Sequence, residues 1–86
     1  MSSMPQDFPS DFPIKVMGRH DSDLRALTQA IVERHAGPIA DSSVKTRTSA
    51  DGNFLALTYV VHATSREQLD KIYRELTACK SVLMAL

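Results

Sequence analysis

Eighty-six residues, 43% of them apolar, supply one hydrophobic core and no second, since a chain this short buries only about 60% of its unfolded surface. Ten basic and ten acidic residues cancel, which removes the global field that draws proteins onto polyanions and argues against strong non-specific nucleic-acid binding. A single cysteine, Cys79, excludes an internal disulfide and an all-thiolate metal site and suits a reducing compartment, the cytoplasm by default.

No apolar run approaches the roughly 20 residues of a membrane span, and the first residues lack the basic start and apolar centre of a secretion signal. Residues 1–10 are polar and proline-punctuated, so they are expected to form a flexible leader in which only Phe8 looks able to dock; residues 11–86 form the domain. From Phe12 the pattern alternates. Phe12, Ile14 and Val16 fall on one face of a strand, Lys15 and Met17 on the other, and Gly18 is expected to close it. Pro13 lacks a ladder donor and therefore belongs at the strand's start.

Asp21 or Ser22 can cap a helix whose apolar stripe is Leu24, Leu27, Ile31 and Val32. Gly37 followed by Pro38 ends it near Ala36. Two strand-like runs then flank Asp51-Gly52, the preferred pair for a tight type I′ hairpin turn. Pairing Ala50 with Asn53 sets Val44 opposite Tyr59, Thr46 opposite Leu57 and Thr48 opposite Leu55, and turns Lys45, Arg47, Thr58, Val60 and His62 to the other side.

Thr64 with Glu67 and Ser65 with Gln68 are overlapping capping boxes ahead of Leu69, Ile72, Tyr73 and Leu76 at helical spacing. Glu67 with Lys71 and Asp70 with Arg74 stand four apart on the outer face of that helix. Residues 81–86 are uncharged and alternate as a last strand, with Leu83 assigned to the side shared by Lys15 and Met17. The order strand, helix, strand, strand, helix, strand predicts an α+β, two-layer ferredoxin-like βαββαβ sandwich, its four-stranded antiparallel sheet covered by two helices on one face.

Several features together resemble the YbeD-like family of small bacterial proteins of unknown function. They are Phe8-Pro9, Phe12, Lys15-Val16-Met17-Gly18, Gly52-Asn53-Phe54, Ala63-Thr64, and the Tyr73 and Leu76 helix running to Leu86. The resemblance covers nearly the whole chain from Phe8. It implies a ferredoxin-like fold similar to the ACT regulatory domains that bind amino acids, no established activity, and, through gene neighbourhood, a tie to lipoate metabolism. The ligand loop of ACT domains usually carries an acidic residue, a proline and a glycine before the helix, whereas Gly18-Arg19-His20-Asp21 has the glycine without the proline.

Candidate chemistry is sparse. His20 beside Asp21 and Asp23 suits a loop with a helix cap better than a metal site. His35 sits favourably in a last helical turn without any catalytic role. Cys79 has only Lys80 adjacent and reads as a passive thiol. The glycines lack phosphate-loop spacing, and three scattered histidines with one cysteine do not make a zinc site, so no cofactor, metal or catalytic residue is assigned and no enzyme is expected. The uncovered sheet lacks the central aromatics on which RNA-recognition domains stack bases, so nucleic acid is not expected as a partner.

What remains is a contact surface of Lys15, Met17, Lys45, Arg47, Thr58, Val60, His62 and Leu83. Beside it runs an uncharged edge strand open to a second copy or another protein. The expected function is a regulatory or protein-interaction module, as a homodimer. The alternative is a small-molecule sensor that takes an amino acid or organic acid at Gly18, Arg19, His20, Asp21 and Ser22, with amide donors at the helix start.

Overall fold

A computed structural model describes residues 8–20 and 23–86. Seven elements follow in order: β1 (Ser10–Arg19), α1 (Leu24–Ala36), a 3-10 turn (Asp41–Ser43), β2 (Val44–Thr48), β3 (Phe54–Ala63), α2 (Arg66–Ala78) and β4 (Val82–Ala85). The strands form one antiparallel sheet in the order β2-β3-β1-β4. With both helices on one face this is the ferredoxin-like α+β fold that the element order predicts.

The core is built by alternation. Ile14 and Val16 of β1 and Leu55, Leu57, Tyr59, Val61 and Ala63 of β3 are buried against Leu24 and Val32 of α1 and Leu69, Ile72 and Leu76 of α2. Each strand therefore turns its intervening residues to the uncovered side. Burying one such aliphatic side chain contributes about 1.5–3 kcal/mol, so this single layer holds the sheet and helices together.

β1 is longer than the alternation suggested. It begins at Ser10, Phe8 packs against the core ahead of it, and Gly18 lies inside the strand. Of the leader expected over residues 1–10, residues 1–7 lie outside the described residues and Ser10 already belongs to the strand. Pro13 is the strand's fourth residue and pairs with Val60. Lys15 and Leu86 exchange both main-chain hydrogen bonds, at 2.9 and 2.8 Å, so the odd-numbered residues of β1 turn their amides toward β4. Pro13 lies beyond the last of these pairs, where a missing donor breaks no ladder bond.

Gly18 marks a close approach. A Cβ there would stand 2.3 Å from the Ser81 carbonyl oxygen and 2.8 Å from a Leu24 methyl. At the same point the register of β4 on β1 shifts, from Met17 with Met84 to Gly18 with Val82, leaving Leu83 as the extra residue of a bulge.

In α1 the buried stripe is Leu24, Thr28 and Val32, with Ile31 packed at its margin; Leu27, expected inside, is 45% exposed. Thr28 takes the inner position because its hydroxyl is satisfied there, donating to Leu24 O at 2.8 Å and sharing a 2.6 Å hydrogen bond with the Tyr59 hydroxyl. Asp23 occupies the N-cap position, and the expected caps Asp21 and Ser22 lie outside the described residues. The helix ends at Ala36, with Gly37 N–H bonded to Glu33 O.

The hairpin keeps the expected register, with Val44 opposite Tyr59, Thr46 opposite Leu57 and Thr48 opposite Leu55. Its turn differs. A type I′ turn needs positive φ at both central residues, whereas Gly52 has φ +79° and Asp51 does not. Gly52 N–H instead closes a turn on Ser49 O, and the Asp51 carboxylate accepts from Ser49 Oγ at 2.7 Å and Asn53 N at 3.0 Å. Those two bonds hold the Asp51 carboxyl below its ordinary value of 3.8. The side chain thus organises the loop, and the strand pairing is unchanged.

Ser65 caps α2 by accepting from Gln68 N at 3.1 Å, while Gln68 Oε1 reaches back to Thr64 N and Gln68 Nε2 donates to His35 O at the end of α1. The expected Glu67–Lys71 and Asp70–Arg74 pairs are not among the ion pairs formed by the described residues. The helices are instead joined to each other, by Arg34 and His35 of α1 on Glu75 of α2.

Candidate functional site

The uncovered face of the sheet carries a groove of about 590 Å³. Cross-strand register builds it in rows. One row runs Lys45, Thr58, Lys15 and Leu86; the next runs Arg47, Ala56, Met17 and Met84. Met17, Met84 and Leu86 are 42%, 48% and 65% exposed, so large apolar side chains stand open to water on this face. A shallower hollow continues the groove past Met17 and Arg47 to Phe54.

Of the residues assigned to this face from sequence, Lys15, Met17, Lys45, Arg47 and Thr58 line the groove together. Val60 and His62 share the face farther along β3, opposite Pro13 and Asp11. His62 Nδ1 stands 3.6 Å from Asp11 Oδ1, which puts a side-chain carboxylate at that end of the face, outside the groove. Leu83 is displaced. The bulge shifts the phase of β4, so that Val82 and Ala85 pack toward the core, Met84 and Leu86 line the groove, and Leu83 is exposed without lining it. Simple alternation assigns the wrong residues here. The available signal was Gly18, since a glycine inside a strand often marks a bulge or a close backbone approach.

The proposed ligand loop divides. Gly18 is filled on its Cβ side by Ser81 and Leu24, and Arg19 pairs with Phe54 at the end of the sheet. His20 is tied to the hairpin, its amide to Asn53 O at 2.9 Å and its Nδ1 3.0 Å from Gly52 O. Asp21 and Ser22 lie outside the described residues.

On the helical side, Glu75 is the electrostatic junction. His35 Nε2 lies 2.5 Å from one of its oxygens and Arg34 bonds the other. The His35 hydrogen bond, with help from the Arg34 charge, holds the Glu75 carboxyl below its ordinary value of 4.5 against the opposing effect of burial. Tyr59 and Tyr73 are both raised above 10.0 by burial. Cys79 follows α2, half-buried at the edge of a shallow hollow with Leu27, Ile31 and Ala78. Among the described residues no three His, Cys, Asp or Glu side chains gather to hold a metal, and no helix is long and apolar enough to cross a membrane.

A family model described as "Protein of unknown function (DUF493)" matches residues 4–86, and the chain belongs to that family. Relatives include a UPF0250 protein of Ralstonia nicotianae, 44% identical over 93% of this chain and 82% of its own length. The UPF0250 protein of Chromobacterium violaceum is 47% identical over 93% of this chain and 90% of its own. A UPF0250 protein of Bordetella pertussis is 49% identical over 81% of this chain and 77% of its own. These descriptions name no enzymatic activity. The solution structure of the C-terminal domain of the MgtC protein from Mycobacterium tuberculosis superposes with a TM-score of 0.60 over 94% of this chain and 88% of that one, at 14% identity, which supports the fold alone.

Proposed function

We propose that this DUF493 chain is a non-enzymatic interaction module of the bacterial cytoplasm, working through its open sheet face and pairing with a second copy along β4. The contrast between the two sheet edges carries the reading. β2 is guarded by the exposed cations Lys45 and Arg47, whereas Val82, Leu83, Met84 and Ala85 present no charge and no proline. Leu86 directs its main-chain groups at Lys15, so the neighbouring Ala85 turns its own outward, toward a partner strand. Pairing along β4 joins two sheets in one plane and leaves both grooves open. A single half-buried thiol, Cys79, accords with a reducing compartment.

The sensing alternative has less support, because Gly18 is packed and His20 is engaged by the hairpin. Light scattering over a dilution series tests the pairing. The wild type is expected to pass from dimer to monomer on dilution, and Leu83→Glu, which places a charge on the edge, to remain monomeric with an unchanged circular dichroism spectrum. A wild type that stays monomeric at every concentration removes the self-association.

A further inference from the structure

We propose that the open face is the docking site for an amphipathic helix with acidic flanks, presented by a protein partner. This rests on the interaction reading above and adds the identity of the occupant. All the ionisable side chains lining the groove are of one sign: Lys15, Lys45 and Arg47 are there, and no Asp or Glu is. In a chain with equal numbers of basic and acidic residues this is segregation of charge, and a like-charged partner is disfavoured while an acidic one is drawn in.

The charge is also one-sided. Lys45 and Arg47 stand on β2, while Met17 on β1, Met84 on β4 and Leu86 beyond it form the apolar side, with Lys15 between them. Four strands about 4.8 Å apart make a face about 14 Å wide. A helix with its side chains is about 10–12 Å thick, so one helix laid along the strands fills it. Its apolar stripe meets Met17, Ala56 and Met84 while its acidic flank meets Lys45 and Arg47, the helix-in-groove mode read in i, i+3, i+4 anchors.

Two other occupants fit less well. A second copy of this chain set face to face would bring the same three cations of each against one another. Single-stranded RNA stacks on aromatics of the central strands, where this face has Lys15, Met17, Ala56, Thr58 and Val60, with Phe54 only at the margin.

The test is selection of a random 16-residue peptide library on the full chain, with counter-selection on a Lys45→Glu/Arg47→Glu variant. The consensus peptide is then synthesised and its binding followed by fluorescence anisotropy. Enriched sequences are expected to carry Asp or Glu flanking an i, i+3, i+4 apolar pattern. The consensus peptide should weaken by more than about tenfold with the double variant, weaken with Met17→Ser and with added salt, and bind a Lys71→Glu control unchanged. Circular dichroism confirms that the variants, all at exposed positions, remain folded. Peptides with an apolar stripe but no acidic bias, lost on Met17→Ser and indifferent to the double variant, overturn the acidic partner and leave the open-face reading standing. Binding indifferent to both variants, or an empty selection, overturns both. A single-stranded RNA 12-mer that binds more tightly than the consensus peptide overturns the helix in favour of nucleic acid.

Discussion

β3 is one strand with two surfaces. Toward the helices, Leu55, Leu57, Tyr59, Val61 and Ala63 are at most 6% exposed; on the other side Ala56, Thr58 and Val60 are half-buried and Phe54 and His62 exposed. Main-chain pairing is common to both surfaces, so the contrast between them isolates what the helical layer adds. Stability is concentrated on the covered surface, which leaves the uncovered one free to hold Met17, Met84 and a row of cations that a core would not tolerate.

Substitutions at neighbouring positions break the comparison most sharply. Leu57→Ala is expected to cost about 2–5 kcal/mol in urea unfolding, through lost burial and the cavity left behind. Thr58→Ala, one residue on but facing outward, is expected to stay within about 0.5 kcal/mol. Equal costs at the two sites would mean that the open face is covered in solution. Gly18→Ala comes next, at about 1–3 kcal/mol, since the new methyl group must push Ser81 or Leu24 aside. Hydrogen exchange should then show the Leu86 amide, bonded to Lys15 O at 2.8 Å, opening faster than amides of the β2–β3 hairpin.

Tyr59→Phe removes the buried hydroxyl bond to Thr28 and is expected to cost about 1 kcal/mol at neutral pH. It also changes the alkaline limb. Burial raises Tyr59 above 10.0, so in the unfolded chain the phenol ionises first and the wild type loses stability as pH climbs from about 10 through the higher folded-state value. Tyr59→Phe should flatten that loss without abolishing it, because Tyr73 is raised in the same direction. The smallest effect is expected on the outer side of the helices. Glu75 is held below 4.5 in the folded chain, so its contribution is present above the ordinary glutamate range and disappears as pH falls through the lowered value. Glu75→Gln should shallow the acid limb of stability against pH; an unaltered acid limb would show that the junction with His35 and Arg34 contributes nothing in solution.

Much of the fold is legible in particular residues. Asp51-Gly52 predicts the hairpin register although the turn takes another form, because pairing on either side of a short loop is set by loop length and by which residues must face the core. Ser65 with Gln68 and Gly37 mark helix ends through bonds made within a few residues of each other. Five of the eight contact residues read from alternation do line the groove. Leu83 misleads because a bulge is a relation between strands, and Leu27 misleads because Thr28 becomes an inner residue only when the Tyr59 hydroxyl is there to meet it.

The amino-acid sequence by itself determined the periods of two and 3.6, the Ser65 cap and the Gly37 stop, the hairpin pairing and hence which sheet face is apolar enough to be covered. Those features depend on neighbours along the chain, whose geometry is fixed by the backbone. Tertiary structure alone decided that Ser81 lies over Gly18, that Met84 and Leu86 rather than Leu83 complete the groove, and that Glu75 gathers Arg34 and His35. Each of these joins residues far apart in the chain, and the choice among distant partners is made only when the packed layers bring them within reach.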